Sequence, residues 1–258
     1  MQQTYLDQLG REVRIKKFPE RIISVVPSQT ELLFDLGLDE RVAGITKFCI
    51  HPESWFSTKT RVGGTKNLNM NKIRALNPDL ILANKEENMR GELEMLAAEF
   101  PVWISDIKTL PEALDMIQQV GLITGTREMS QSIVNTIQQQ FNELAVQAKA
   151  KRALYLIWQH PFMAVNNSTF IHDMMTRAGF ENATAGYENR YPEITVQEIQ
   201  RLNPELLLLS SEPFPFAEKH IEDFRVLLPD SEILLVDGEL FSWYGSRLIK
   251  APAYFSAL

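Results

Sequence analysis

Residues 126–152 read TREMSQSIVNTIQQQFNELAVQAKAKR, a stretch with no Gly and no Pro. Met129, Ile133, Ile137, Phe141, Leu144, Ala145 and Ala148 recur at spacings of three and four. That period lines one narrow apolar stripe along a helix and leaves the rest of its surface polar. At about 1.5 Å per residue the helix would run roughly 40 Å. Two similar segments flank it: residues 73–82 read IRALNPDLIL and residues 199–208 read IQRLNPELLL, an offset of 126 (199 − 73). Each reads as a helix end, an Asn-Pro break and a buried strand. The stretch therefore predicts an α/β fold of two related, Rossmann-like lobes with mostly parallel sheets, joined by one long α-helix. The expected boundaries are 1–124 for the first lobe, 125–151 for the linking helix and 152–258 for the second lobe.

Composition narrows the class of function. A chain of 258 residues with 45% hydrophobic content suits a globular protein of one large domain or two lobes. No apolar run approaches the roughly 18 residues that span a bilayer. Cys49 is the only cysteine, so no internal disulfide forms. The net charge of −7 argues against nucleic acid or an anionic membrane surface as the main partner.

Outward from the helix, strands and helices alternate. Ile22-Ile23-Ser24-Val25-Val26 reads as a buried strand that stops at Pro27. Ser28 or Thr30 is expected to cap the helix that follows, and Gly37 to end it. Strands are expected at 42–45, 80–83, 102–104, 153–158, 206–209 and 233–236. Helices are expected at 69–76, 111–123, 170–178, 196–202 and 217–228, with a closing helix at 247–258. Such alternation implies helices on both faces of parallel sheets. Ligands in these folds bind outside the carboxyl ends of the strands. Those ends are residues 27–29, 46–51, 84–87, 159–160, 210–214 and 237–244, and two facing lobes would gather them around one cleft.

The same positions carry few catalytic signals. Gly63-Gly64-Thr65-Lys66 lacks the spacing of a phosphate-binding loop, and Tyr244-Gly245-Ser246-Arg247 is no nucleophile elbow. His51, His160, His172 and His220 show no zinc spacing. His172 and His220 fall in helices and read as structural. His51 and His160 follow strand ends, and Cys49 with His51 would point to one side of an extended segment. Two ligands are too few for a metal site, so no metal is assigned, with His51 and His160 the candidates for contact with one. Aromatic residues are more informative. Phe48, Trp158, Phe162, Tyr191, Phe214, Phe216, Phe241, Trp243 and Tyr244 fall at or just past strand ends. A surface rich in aromatics with a few polar groups suits a large, partly apolar ligand.

RIISVVPSQTE at 21–31, VAGI at 42–45, both Leu-Asn-Pro-acid-Leu strand entries and the single long helix together resemble the substrate-binding proteins of ABC importers for cobalamin, ferric siderophores and haem. These are the class III periplasmic binding proteins, or helical-backbone metal receptors, and the likeness is greatest to the cobalamin-binding members. It covers the chain from about Asp7 to Leu258. It implies a rigid linking helix, a shallow cleft between lobes and no catalysis. Cobalamin-contacting aromatics of the family correspond to Phe48 and Tyr191. A family Trp corresponds to Thr65, so one ring is missing, and a family Asp-Trp-Phe segment corresponds to Glu239-Leu240-Phe241, with Trp243 close by. The full set of expected ligand contacts is Ser28, Gln29, Phe48, His51, Thr65, Trp158, His160, Tyr191, Glu239, Phe241 and Trp243. The family's two permease-docking glutamates correspond to Asn71 and Gln197, which implies weak docking to a cobalamin permease of the usual kind.

The expected function is thus to bind a cobalamin-like or metal-chelate (siderophore or haem) ligand for ABC-type uptake. The expected partners are that small molecule and an ABC permease, with no nucleic acid, no cofactor of the protein's own and a monomeric state. The ligand would be cobalamin or an iron chelate. Two rivals are an intracellular corrinoid or metal-chelate carrier without a permease, and a nitrogenase-like metallocofactor enzyme, which would call for more cysteines than Cys49. The family works in the periplasm or cell envelope. The polar start MQQTYLDQ lacks the pattern of a secretory signal, so a cytoplasmic location is expected if Met1 is the native start.

Overall fold

The computed structural model describes residues 2–144 and 150–258. The chain forms two compact units. The first comprises residues 1–107, 111–139 and 244–249; the second comprises 108–110, 140–243 and 250–258. Neither unit is a continuous stretch.

In the first unit a five-stranded parallel sheet has the order Thr60–Arg61, Val42–Ile45, Ile22–Ser24, Leu80–Asn84, Val102–Ser105. Its middle strands are buried on both faces, which is why they read as unbroken apolar runs. Ile23, Val25, Ile73, Ile81, Leu93, Leu96, Val102 and Ile104 pack one core there. A hairpin of Gln2–Leu6 and Glu12–Lys16 precedes the sheet, with Val13 and Ile15 inward and Glu12, Arg14 and Lys16 outward. The second unit carries a four-stranded parallel sheet in the order Phe180–Asn182, Lys151–Leu156, Leu206–Ser210, Glu232–Val236. Its core gathers Leu154, Leu156, Ile199, Leu207, Leu209, Phe216 and Phe224.

The repeat extends to capping chemistry. Asn69 and Thr195 each accept a bond from the third helical amide, of Lys72 and of Glu198. Met70–Leu76 and Val196–Leu202 then run seven residues each and end at Asn77 and Asn203, both left-handed (φ 46° and 39°). Asn tolerates that conformation better than other side-chain-bearing residues, and it releases the chain into Pro78 or Pro204. Asp79 then binds the amides of Glu20 and Arg21, and Glu205 binds the amide of Arg152, so each acid ties its strand entry to the neighbouring strand.

Four expectations are corrected. The helix after Ser24 spans Pro27–Asp35 and starts at Pro27, so Ser28 and Thr30 lie inside it and do not cap it. Proline's fixed φ suits a first turn, and Thr30 Oγ1 instead donates back to Val26 O at 2.9 Å. The mid-chain helix spans Arg127–Glu143, about 25 Å at 1.5 Å per residue, and not the full stretch to 152. Lys151 and Arg152 open the strand Lys151–Leu156, while the expected continuation through 145–149 lies outside the described residues. The strand expected at 153–158 stops at Leu156, before Trp158. The expected closing helix is two short pieces, a 3-10 turn Ser246–Ile249 and a helix Ala251–Phe255. Pro252 has no N–H and its ring crowds the preceding turn, so it can only begin a helix. No described helix is long and apolar enough to cross a membrane.

Candidate functional site

The strand ends of the first unit are held by a buried polar network. Asn84 closes the strand Leu80–Asn84, and its Nδ2 donates to Ser105 O and Oγ at 3.2 and 3.0 Å. Gln29 Nε2 donates to Ser105 Oγ at 2.6 Å. Asn88 Oδ1 accepts from Asn84 N at 2.9 Å, and its Nδ2 donates to Val25 O and Thr65 O. These bonds tie three strand ends and the Thr65 loop into one edge, and Gln29 Oε1 is buried in it with no hydrogen-bond partner among the described residues. Ser28 and Gln29, expected as ligand contacts, are buried at 2% and 0% exposure; Gln29 joins this edge through Ser105, whereas Ser28 Oγ is buried without a hydrogen-bond partner among the described residues.

On that edge Phe48 stands out, 51% exposed, with Lys47 Nζ 5.0 Å from its ring centre. His51 and Thr65 are half-buried. Cys49 does not share a side with His51. Its thiol is buried against Thr30 Oγ1 and Thr46 Oγ1, each at 3.1 Å, and burial pushes it up to about 11. With no exposed surface, Cys49 is closed off from a ligand at the strand edge. Tyr244 is buried, with its phenol donating to Glu87 Oε1 at 2.8 Å.

The second unit's strand ends bear the larger aromatic surface. Trp158 is 39% exposed, with its ring edge-on to Phe214 at 5.7 Å. Phe214 packs in turn on Phe216 and His220. His160 is exposed, 6.3 Å from the Phe162 ring. Tyr191 is half-buried, and the Arg190 guanidinium lies 5.9 Å from its ring. Glu239 is also half-buried.

Two expected contacts behave otherwise. Phe241 has no exposed surface and packs against Tyr155 and Phe255 at 5.2 and 4.7 Å, so it is a core ring. Trp243 is 6% exposed, and its Nε1 donates to Glu212 Oε1 at 2.9 Å. Sequence reading missed Glu212. Ser242 Oγ also donates to its Oε1, at 2.6 Å. Burial holds the Glu212 carboxyl above the ordinary glutamate value, and Glu239 and Asp237 add repulsion. Its place directly after the strand Leu206–Ser210 was the available signal.

Asn71 and Gln197 are both exposed, each in the first turn of its repeat helix. Among the described residues, no group of three or more His, Cys, Asp or Glu is placed to hold a metal ion.

The sequence profile of the periplasmic binding proteins matches residues 22–225. The chain belongs to the periplasmic binding protein family. An ABC transporter substrate-binding lipoprotein of uncharacterised specificity from Bacillus subtilis is 25% identical over 95% of this chain and 81% of its own length. A vitamin B12-binding protein of Pectobacterium carotovorum is 24% identical, over 90% and 86% respectively. The crystal structure of the periplasmic vitamin B12 binding protein of Vibrio cholerae shares the fold, with a TM-score of 0.81, 21% identity and coverage of 93% of this chain and 96% of that one. These findings overturn the cytoplasmic location expected from the polar start. The family is periplasmic by description, and the Bacillus relative is a lipoprotein.

Proposed function

We propose that this chain is the substrate-binding component of an ABC importer and takes a large metal chelate of the corrinoid, haem or ferric siderophore class without transforming it. The observation that carries this reading is the exposed aromatic surface at the strand ends. Phe48 is 51% exposed in one unit and Trp158 39% in the other, in a chain whose other three tryptophans, Trp55, Trp103 and Trp243, are buried. Exposed rings on rigid strand ends offer wide, flat contact at little conformational cost. The candidate contacts within the first unit are Phe48, His51 and Thr65; those within the second are Trp158, His160, Tyr191 and Glu239. Vitamin B12 binding by the Pectobacterium relative supports the corrinoid member of the class. Thr65, in place of a ring, leaves room there for a bulkier or differently shaped chelate.

Titration with cyanocobalamin, haemin and a ferric hydroxamate, followed by tryptophan fluorescence, tests the reading. Quenching by one of the three is expected, because Trp158 is the exposed tryptophan. Silence with all three overturns it.

A further inference from the structure

The first unit has an open hollow of about 620 Å³ beside the turn that carries Asn71. Lys47, Arg61 and Lys72 line it together with Asn67, Asn69 and Asn71, and no acidic residue does. All three cations are exposed, and among the described residues none of them has a carboxylate partner. The Lys47 ammonium rests over the Phe48 ring, Arg61 donates to the Phe56 carbonyl, and Lys72 Nζ donates to Arg61 O at 3.2 Å. Glu92 is the acid bonded closest to this turn, and both its oxygens face the Leu68 amide, at 3.1 and 3.3 Å.

This positive surface is local, because the chain as a whole carries a net charge of −7. The internal repeat provides a control. At the same offset in the second unit, Lys72 becomes Glu198, Asn67 becomes Glu193 and Arg61 becomes Tyr187. There Glu198 accepts from Thr195 N and Oγ1 at 2.8 and 2.9 Å, so the acid closes the helix cap. One helix turn, used twice, is basic in one copy and acidic in the other.

We propose that the hollow lined by Lys47, Arg61 and Lys72 docks an acidic segment of a protein partner. Three solvent-facing cations spread around an open hollow match several carboxylates on a chain. A single small anion would call for a buried polar group aimed at it, and the hollow is ringed by exposed side chains. The inference goes beyond the reading above, and its partner is defined by that acidic chemistry alone.

A fluorescein-labelled peptide of alternating glutamate and glycine serves as the probe, followed by anisotropy at low and high salt. Binding that weakens with salt is expected. Arg61→Gln/Lys72→Gln should weaken it about fivefold, the effect of two exposed charge pairs. Glu193→Gln/Glu198→Gln in the second unit should leave it unchanged. Equal affinity for wild type and the Arg61/Lys72 variant overturns the proposal. So does displacement by inorganic phosphate beyond that of chloride at matched ionic strength, which would make the hollow a small-anion site. Chelate titration on the same samples separates the two readings: failure there with peptide binding intact removes the chelate and leaves the docking surface standing.

Discussion

Glu212 shows how a single carboxyl reports its surroundings. Burial raises it above the glutamate value of 4.5, although Ser242 and Trp243 both donate to it. A carboxyl raised by folding holds its proton in the native state at a pH where the unfolded chain has lost it. Its contribution to stability is therefore complete below the unfolded value and falls as pH rises through the folded value. Glu212→Gln keeps an oxygen for both donors and removes the charge. The gain in melting temperature of the variant over wild type should grow from acid to neutral pH; a gain that shrinks would refute the burial argument. Phe241 and Phe48 make a complementary pair. Phe241→Ala should cost about 3–5 kcal/mol of stability, as a fully buried ring does, and leave chelate affinity of the folded protein unchanged. Phe48→Ala should shift stability by less than about 0.5 kcal/mol and weaken chelate binding by about 1–2 kcal/mol. Denaturant melts and titrations of the two variants check both statements. Nothing local distinguished these rings in the sequence, since both follow strand ends. Tertiary packing by Tyr155 and Phe255 decides which one is buried.

At the scale of elements the repeat is the most legible feature, because it is written in short-range chemistry. Asn69 and Thr195 as caps, Asn77 and Asn203 in the left-handed region, and the prolines after them all act within a few residues. Asn77→Ala and Asn203→Ala should each destabilise by about 1 kcal/mol, and the corresponding Gly variants should be neutral or slightly stabilising. Similar losses in both units, measured by thermal melts, would confirm that the two caps are one device used twice; a loss at one site alone would break the equivalence. Strand positions and helix ends at Gly37 and Gly179 were readable for the same reason, since both glycines take positive φ. The end of the central helix was not. Its apolar stripe continues past Glu143 in the sequence, and the parallel pairing of Ala153 with Leu206 and of Lys151 with Phe180 claims the chain from Lys151 onward. Non-local pairing overrides a local period. The candidate site was partly legible: Phe48, Trp158 and Tyr191 keep open surface, whereas Gln29, Phe241 and Trp243 are drawn inward by Ser105, by aromatic packing and by Glu212, and Ser28 is buried within its helix.

Over the whole molecule, the chain returns to its beginning. Residues 244–249 pack within the first unit although they lie near the end of the sequence. Arg247 meets Glu31 across 216 residues, with Nε to Oε2 at 2.7 Å and a second nitrogen to Oε1 at 2.8 Å. The side chains are 10% and 12% exposed, so both charges are largely out of water and depend on each other. Ser246 bonds Asp35 on the same helix, and Gly245 brings its Cα so close to Ser28 O that an added Cβ would sit 2.5 Å from it. Only glycine allows that approach, and it seats the pair. Removing one partner of a buried pair strands the other charge and costs about 3–5 kcal/mol, whereas replacing both by uncharged groups of similar size is far milder. Arg247→Met should therefore lower stability by about 3 kcal/mol, and Glu31→Gln/Arg247→Met should recover most of that loss in urea melts. If the double variant is as unstable as Arg247→Met, the stranded charge is not the cause. The segment would then be held in the first unit by the Ser246–Asp35 and Tyr244–Glu87 hydrogen bonds and by the packing of Leu248.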